Sequence, residues 1–188
     1  TGYRRASVFS SVNYDFKKKY LLTLTARYDG SSRFGTNNQY GLFPSVRVGW
    51  SLVEEEFLKN SSSVSEMKLR ASYGLTGNDQ IGNFDARGLY GGGGNYSGSA
   101  GIVPSSLANL GLSWETNNTL NLGIDYGFFE NRITGSIDAF DRRTKDLLLS
   151  QPILWTNGFS GISNNVGELQ NRGLEFELST VNIDKGGF

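Results

Sequence analysis

The chain has 188 residues, enough for one or two soluble domains or for about eight strands of a barrel wall. Its 18 Lys and Arg residues balance 18 Asp and Glu residues, so no net charge favours nucleic acid as a partner. It contains no Cys and no His, which excludes disulfides, thiolate metal sites, His-dependent catalytic triads and haem ligation by His. These absences argue against an enzyme, a metal centre or a bound cofactor.

The composition favours strands over helices. Glycine, with 25 residues, is nearly twice as frequent as in an average protein, and aromatic residues make up 13% of the chain. This pairing is typical of strands with aromatic girdles and flexible loops. No apolar run approaches the roughly 20 residues of a membrane helix. The first residues resemble neither an initiator Met nor a signal peptide, and the last residues, VNIDKGGF, read as a hairpin turn, so we expect an internal piece of a longer protein.

The first two predicted strands flank a turn of three lysines. In residues 4–16 and again in residues 20–29, apolar and polar side chains alternate with the two-residue period of a β-strand. The turn occupies residues 17–19. Phe16 and Tyr20 flank it as members of an interfacial aromatic belt would, with the lysines beyond them in water.

The next two predicted strands are separated by a polar connection. Residues 30–42 are rich in turn-forming residues and predict a loop. A third strand follows over residues 45–52, with Pro44 at its start, where a missing hydrogen-bond donor is tolerated. Residues 53–66 form the polar connection, and residues 67–76 alternate regularly, which predicts a fourth strand.

The longest segment without periodicity is residues 77–112, which contains a run of glycines, Gly91 to Gly94. The run lacks the Gly-Lys-Ser/Thr ending of a phosphate-binding loop, so we interpret it as a flexible linker within an external loop. Because a long segment of Gly, Ser and Asn buries little apolar surface, we expect residues 79–112 to be mobile.

A long hairpin follows this segment. Its arms, residues 120–128 and 133–139, alternate across a turn at Glu130 and Asn131. They are longer than the usual soluble strand of about five or six residues and approach the roughly 9–11 that a tilted strand needs to cross a bilayer. A second long loop is predicted at residues 150–172, followed by a seventh strand at 174–179 and the beginning of an eighth.

The connections differ systematically in length. Those after the first and fifth strands are very short, whereas those after the second, fourth and sixth are long. Outer-membrane barrels have short periplasmic turns and long extracellular loops. The sequence therefore predicts an all-β fold, an antiparallel transmembrane β-barrel segment whose lysine turn is periplasmic and whose glycine-rich loop is outside the cell.

Several blocks of sequence resemble one family, in the same order as in that family. The resemblance spans residues 20–183 and is carried by YDGSSRFG, FPSVRVGWSL, MKLRASYGLTGNDQIG, LSWETNNTLNLGIDYGFFENRITGSIDAFDRRTKDLLL and NVGELQNRGLEFEL. These blocks are similar to the barrel region of SusC/RagA-type TonB-linked outer-membrane transporters of Bacteroidetes. The resemblance implies that residues 1–188 are part of a barrel of about twenty-two strands.

The same resemblance implies the partners of the complete protein. They are an N-terminal plug, the TonB complex that transmits the energy of the proton gradient, and a SusD-like lipoprotein lid. The cargo would be a glycan or a peptide, and the location the outer membrane of a Gram-negative cell, where lipid contacts the barrel. Neither a plug nor a TonB-contacting segment is recognisable in this chain.

Two sets of side chains are candidates for contact with cargo or with the plug. Rings in or beside the long loops can stack on a sugar or a peptide side chain, although packing of loops on each other is the alternative. They are Tyr90, Tyr96, Trp114, Trp155 and Phe159. Charged residues on the polar strand face would line the lumen and meet the plug rather than cargo. They are Arg47, Arg70, Asp125, Glu175 and Glu177.

Two other classes of protein share part of this pattern. A passive porin or an adhesin-type barrel would have the same strands, and an upstream plug-sized domain in the complete gene would distinguish the importer from them. A soluble β-sandwich that binds carbohydrate would also alternate, but it normally carries a turn signal every 8–12 residues or so, which the hairpin at 120–139 lacks.

Overall fold

The structure is a computed structural model that describes residues 2–182, except for the side chain of Tyr96. Within these residues the chain forms eleven strands. They are β1 (Arg5–Phe16), β2 (Tyr20–Ser31), β3 (Tyr40–Ser51), β4 (Val64–Asn78), β5 (Tyr90–Tyr96), β6 (Ser99–Pro104), β7 (Glu115–Phe128), β8 (Ile133–Lys145), β9 (Leu148–Pro152), β10 (Gly161–Asn165) and β11 (Glu168–Thr180). Two short 3-10 turns, Leu52–Glu54 and Trp155–Asn157, complete the regular structure. No helix in this part of the chain has the length and hydropathy needed to span a bilayer.

Seven long strands form one antiparallel sheet in the order β1-β2-β3-β4-β7-β8-β11. The other four strands form two separate hairpins, β5 with β6 and β9 with β10. The predicted all-β fold with long antiparallel strands is thus confirmed. The sheet is open, with β1 and β11 at its two edges. The predicted beginning of an eighth strand falls largely on residues 183–188, outside the described residues.

The strand pairing aligns side chains in rows, and each row lies on one face of the sheet. One row on the apolar face contains Tyr20, Trp50, Leu69, Ile124, Ile137 and Phe176. The adjacent row on this face contains Leu22, Val48, Ala71, Leu122, Ala139 and Leu174. On the opposite, polar face a row contains Asn13, Thr23, Arg47, Ser72 and Asn121. We call this polar face the inner wall.

The apolar face is exposed rather than packed against a second layer. Val8 is 73% exposed and Leu174 is 80% exposed, and neither is an isolated surface residue. A soluble protein rarely leaves so large an apolar surface in water, whereas a barrel in a membrane presents such a face to lipid. The buried hydrophobic residues of the described chain are not on this face; they are Phe34, Phe43, Ala86 and Leu112.

The strands extend farther than the apolar alternation indicates. Strand β3 begins at Tyr40 and β11 at Glu168, five and six residues before their predicted starts. Pro44 lies inside β3, opposite Ala26, rather than at the start of the strand as predicted. The reason is that a ladder of backbone hydrogen bonds needs no apolar side chains, so it continues where the alternation ends.

The two long loops are not irregular, contrary to the prediction. The glycine run belongs to strand β5, which pairs with β6 and has an irregular register between Gly92 and Asn95, so the interpretation as a flexible linker is wrong. The hairpin turns at Ser97 and Gly98, where φ is positive, and Asn95 accepts a hydrogen bond from the Gly98 backbone N–H at 2.8 Å. Glycines have no side chains to alternate, so this strand gives no periodic signal.

Candidate functional site

Three connections pack together at one end of the sheet around a small hydrophobic core. Phe34 comes from the connection after β2, while Ala86 and Leu112 come from the connection between β4 and β7. All three are buried, with 2%, 1% and 0% exposure, and we call this cluster the loop core. Its partly buried neighbours are Ile81, Trp114 and Leu148. The long connections therefore support each other as one packed unit.

Trp114, a predicted candidate for ligand contact, lies against the loop core. Its ring centroid is 5.2 Å from that of Phe34 and 5.3 Å from that of Phe43, which projects from β3. Its indole N–H donates a hydrogen bond to the Gln39 carbonyl oxygen at 3.1 Å. Packing of loops on each other, the alternative raised from the sequence, accounts for this position.

Asparagine side chains join the connection after β8 to the connection between β4 and β7. The Asn165 amide accepts a hydrogen bond from the Ser113 backbone N–H at 2.8 Å and donates to the carbonyl oxygens of Ser113 and Asp146 at 2.9 Å. Asn109 donates to the carbonyl oxygen of Ser163 at 2.9 Å. These bonds satisfy backbone groups that a loose loop would leave to water.

A buried carboxylate anchors the first strand to the same region. Asp79, only 3% exposed, accepts hydrogen bonds from the Arg5 guanidinium and, at 2.6 Å, from the Ser31 hydroxyl. Arg33 donates to the Asp79 carbonyl oxygen at 3.0 Å. Burial raises the pKa of Asp79, but the hydrogen bonds from Arg5 and Ser31 outweigh burial, and the pKa lies below its ordinary value. Both ends of residues 79–112, the segment expected to be mobile, are thus packed against the rest of the structure.

Truncation of Phe34 should loosen the loop core and leave the barrel wall intact. Replacing a buried Phe by Ala costs about 3–5 kcal/mol when the cavity cannot collapse. In the full-length protein we expect Phe34→Ala to speed proteolytic cleavage within residues 79–113, with unchanged heat-modifiable migration of the barrel on gels. Trp155→Ala, which removes a ring that is 77% exposed, is the matched control. Equal cleavage of the Phe34→Ala and wild-type proteins would contradict this account of the loops.

The remaining candidate rings project from the two hairpins or lie beside them. Tyr90, at the start of β5, is 72% exposed, and Trp155, in the 3-10 turn between β9 and β10, is 77% exposed. Phe159 is half-buried. The side chain of Tyr96 lies outside the described residues. Among the candidates described, Tyr90 and Trp155 are therefore the rings most available to an external partner.

On the inner wall, an ion network joins three strands. The Arg70 guanidinium donates two hydrogen bonds to Asp125, both at 2.8 Å, and one to Asp138 at 3.1 Å. Gly123 lies between Arg70 and Asp138 in the register, and a Cβ there would come within 2.9 Å of the guanidinium carbon. The absent side chain lets Arg70 reach across β7. Asp138 lies on the polar strand face predicted to line the lumen, and its ion pair with Arg70 depends on the glycine between them.

The other predicted inner-wall residues stand apart from this network. Arg47 lies on β3 between Thr23 and Ser72 and is exposed. Glu175 lies opposite Asp138 on the edge strand β11, and Glu177 lies two residues farther along that strand. Glu175 and Glu177 are also exposed, so the inner wall presents both signs of charge to whatever fills the lumen.

A groove of about 740 Å³ lies between the inner wall and the loop core. Arg47 contributes to its lining together with the hydroxyl groups of nearby strand residues. Phe43, Asp79 and Trp114 line it too, so the groove extends to the base of the packed loops. Its polar members include Thr23, Thr25, Ser45, Ser72 and Thr119.

The other end of the sheet carries an aromatic belt on the apolar face. The ring centroids of Tyr14, Phe16, Tyr20 and Trp50 follow one another at 6.3–6.5 Å. Glu55 accepts hydrogen bonds from the Trp50 indole, the Tyr20 hydroxyl and the Lys19 ammonium, each at 3.1 Å. The bonds from Trp50, and next from Lys19, lower the pKa of Glu55.

Comparisons with known proteins agree with this architecture. A family described as "TonB dependent receptor-like, beta-barrel" matches residues 1–186. The chain is 41% identical over 183 residues to TonB-dependent receptor P39 of Formosa agariphila, covering 97% of this chain and 18% of that protein. It is 41% identical over 185 residues to TonB-dependent receptor SusC of Bacteroides thetaiotaomicron, covering 94% of this chain and 18% of that protein.

A solved structure has the same fold over nearly all of this chain. The structure of the RagAB peptide transporter superposes with a TM-score of 0.91 at 33% identity, covering 98% of this chain and 20% of that chain. The chain thus spans roughly a fifth of the length of these relatives. Since the family match extends over nearly all of the sequence and the sheet has the expected two faces, this chain belongs to the TonB-dependent receptor-like β-barrel family.

Proposed function

We propose that this chain forms part of the barrel wall and outer loops of a TonB-dependent importer that takes up glycans or peptides through the outer membrane. The observation that carries the proposal is the two-faced sheet, with an exposed apolar face on one side and a charged inner wall on the other. A passive channel would also have these faces. The similarity to SusC of Bacteroides thetaiotaomicron and to the RagAB peptide transporter supports active import.

Within this proposal, residues 1–188 belong to a larger barrel domain, and the remaining strands and a plug come from the rest of the parent protein. The Arg70 network suits contact with the plug, because one guanidinium faces two carboxylates and leaves a net negative charge that a cationic group of the plug would balance. Glu175 and Glu177 would meet plug or water in the same lumen. The wall has a binding and guiding role in this proposal, and no step of chemistry is assigned to it.

The loops and hairpins would contact the external partners. Tyr90 and Trp155 expose most of their rings at the end of the sheet that carries the loop core. A SusD-like lipoprotein lid or the cargo itself would cover them, and Tyr96 and Phe159 lie in the same two segments. The loop core gives these hairpins a firm base, so that a partner can bind without first ordering the loops.

Energy dependence separates the importer from a passive porin. In cells that express the full-length protein, we expect uptake of labelled oligosaccharides or oligopeptides to stop when the proton gradient is collapsed with an uncoupler. Deletion of the TonB gene should have the same effect. Uptake that continues unchanged under both treatments would show a passive channel instead. An unrelated porin in the same cells serves as the control for general damage to the membrane.

A further inference from the structure

The arginines of the inner wall divide into paired and unpaired members. Arg5 is paired with Asp79, Arg27 with Asp29, and Arg70 with Asp125 and Asp138. Arg47 and Arg142 are exposed, and no carboxylate of the described residues lies within ion-pair distance of either. Two guanidinium groups on the inner wall therefore keep their hydrogen-bond donors available.

The two unpaired arginines flank one strip of small and hydroxyl-bearing residues. Arg47 lies opposite Ser72, and Arg142 lies opposite Thr119. Gly74 lies between Ser45 and Thr119 in the adjoining row. Three strand spacings of about 4.8 Å separate the backbone positions of the arginines, which gives a span of roughly 15 Å. Ser72, Gly74 and Thr119 line the groove of about 740 Å³ described above.

This arrangement suits an extended ligand that carries carboxylates. A guanidinium binds a carboxylate through two parallel hydrogen bonds, and hydroxyl groups between two such sites can bond to a backbone amide or a sugar hydroxyl. The groove extends to the base of the loop core, at the end where the external loops lie. A ligand that arrives between the loops would therefore meet the groove before it reaches the Arg70 network, whose guanidinium is already paired with two carboxylates.

We propose that this groove and the inner wall beside it bind a carboxylate-bearing segment of the cargo. The anion-binding residues are Arg47, which lines the groove, and Arg142, which lies outside that lining, opposite Thr119. The carboxylates would come from an acidic peptide or from a uronic acid of a glycan, since both present the same group to the guanidinium. The inference rests on the proposed function, because it assumes that cargo passes through the lumen.

The test measures binding to the purified full-length receptor in detergent by calorimetry. The probes are a glutamate-rich peptide and an oligogalacturonate, each compared with a neutral partner of the same length, a glutamine-rich peptide and a neutral oligogalactoside. We expect one acidic probe to bind, and its neutral partner to bind at least about ten-fold more weakly. Whichever acidic probe binds identifies the source of the carboxylate. Affinity for it should fall as salt concentration rises.

Two pairs of substitutions test the residues. Arg47→Gln with Arg142→Gln should lower affinity for the acidic probe by about ten-fold for each arginine removed and leave a neutral probe unaffected. Arg87→Gln with Lys59→Gln removes the same charge at exposed sites outside the groove and should change neither affinity. Heat-modifiable gel migration confirms that each variant folds. The plug is the alternative occupant of the groove. If Arg47 and Arg142 hold the plug instead of cargo, their substitution should speed proteolytic cleavage of the plug, which is measured in each variant.

Three results would overturn the proposal. They are equal binding of acidic and neutral probes, an unchanged affinity in the Arg47 and Arg142 double variant, and faster plug cleavage in that variant without a change in cargo binding. Energy-dependent uptake at equal rates for acidic and neutral cargo would refute this inference alone. Loss of energy dependence would refute the importer itself, so the two failures are distinguishable.

Discussion

Arginine in place of Leu122 is expected to destabilise the full-length receptor in lipid, lowering its free energy of unfolding by about 2–4 kcal/mol. This is the cost of an arginine side chain on the lipid face near the bilayer midplane. Leu122 is 51% exposed on the apolar face and lies between Ala71 and Ala139 in its row. Its small neighbours offer no counter-charge. The guanidinium would therefore have to stretch toward the bilayer surface or remain unpaired in hydrocarbon.

Asn121 supplies the matched control, because it is the next residue along β7 and points to the inner wall. Asn121→Arg adds the same side chain to a polar surface and should change the folding free energy by no more than a surface substitution does, about 0.5 kcal/mol. Reversible urea unfolding of both variants in lipid vesicles measures the difference. Equal losses for the two variants would show that the faces are assigned wrongly.

A second large effect is expected when residues 1–188 are produced alone. Strands β1 and β11 are the edges of the open sheet, so each carries a line of backbone N–H and C=O groups without partners. Within hydrocarbon every such group costs several kcal/mol. We expect the isolated chain to aggregate or to remain unfolded in detergent micelles, while the full-length parent folds.

Closure of the seven strands on themselves would not remove this penalty at low cost. A barrel of about eight strands has an interior just wide enough for side chains. The inner wall would then pack Arg47 and Arg142, which have no carboxylate partner here, into a narrow bore with Glu175 and Glu177. Desolvation of charges outweighs their attraction unless the geometry is close to ideal.

Refolding both proteins in the same micelles decides this prediction. Heat-modifiable migration on gels and strand circular dichroism report the formation of a barrel. The full-length parent serves as the positive control for the refolding conditions. A monodisperse, heat-modifiable sample of residues 1–188 would mean that this sheet closes into a complete small barrel.

The sheet was predictable because the periodicity of its side chains is set by the lipid. Wherever a strand faces hydrocarbon on one side and water or plug on the other, apolar and polar residues alternate, as in the hairpin of β7 and β8. The predicted pairing of its two arms is confirmed, with Ile124 opposite Ile137. Strand ends above the lipid lack this constraint, so the start of β11 was placed too late.

The loops were harder to predict because their order depends on contacts distant in sequence. Phe34 and Leu112 are in contact although four strands, β3 to β6, separate them in the sequence, and neither has a local pattern that indicates burial. The glycine run in β5 has no side chains to alternate. For the same reason Trp114 could be named as a candidate ring from its place beside a loop, but its packing partners could not.

The aromatic belt also records how the strands lean in the membrane. On β3 the belt is at Trp50, which is in register with Ile124 on β7. On β7, however, the paired rings are Tyr126 and Phe128, two and four residues farther toward that end, with centroids 5.8 Å apart. Over β1 to β3 the belt stays in one row, with Phe16, Tyr20 and Trp50 in register. From β3 to β7, which is two strands away, it descends by at least about one residue per strand. Between β3 and β7, a rise of about 3.3 Å over a spacing of about 4.8 Å corresponds to a strand tilt of roughly 35°.

The same lean explains charged residues on the outward face. Asp141 and Arg172 share a row with Leu120, and Arg143 lies one row farther toward the loops. If the rows ran parallel to the membrane surface, these charged residues would lie at the same depth as apolar residues on β1 and β2. If the tilt seen between β3 and β7 continues to β11, these residues lie above the hydrocarbon in the layer of lipid head groups, where water can reach the 3.2 Å ion pair of Arg172 with Asp141. Tilted strands thus allow outward-facing charged residues on β8 and β11 to lie in the head-group layer while the same rows on β1 and β2 contact hydrocarbon.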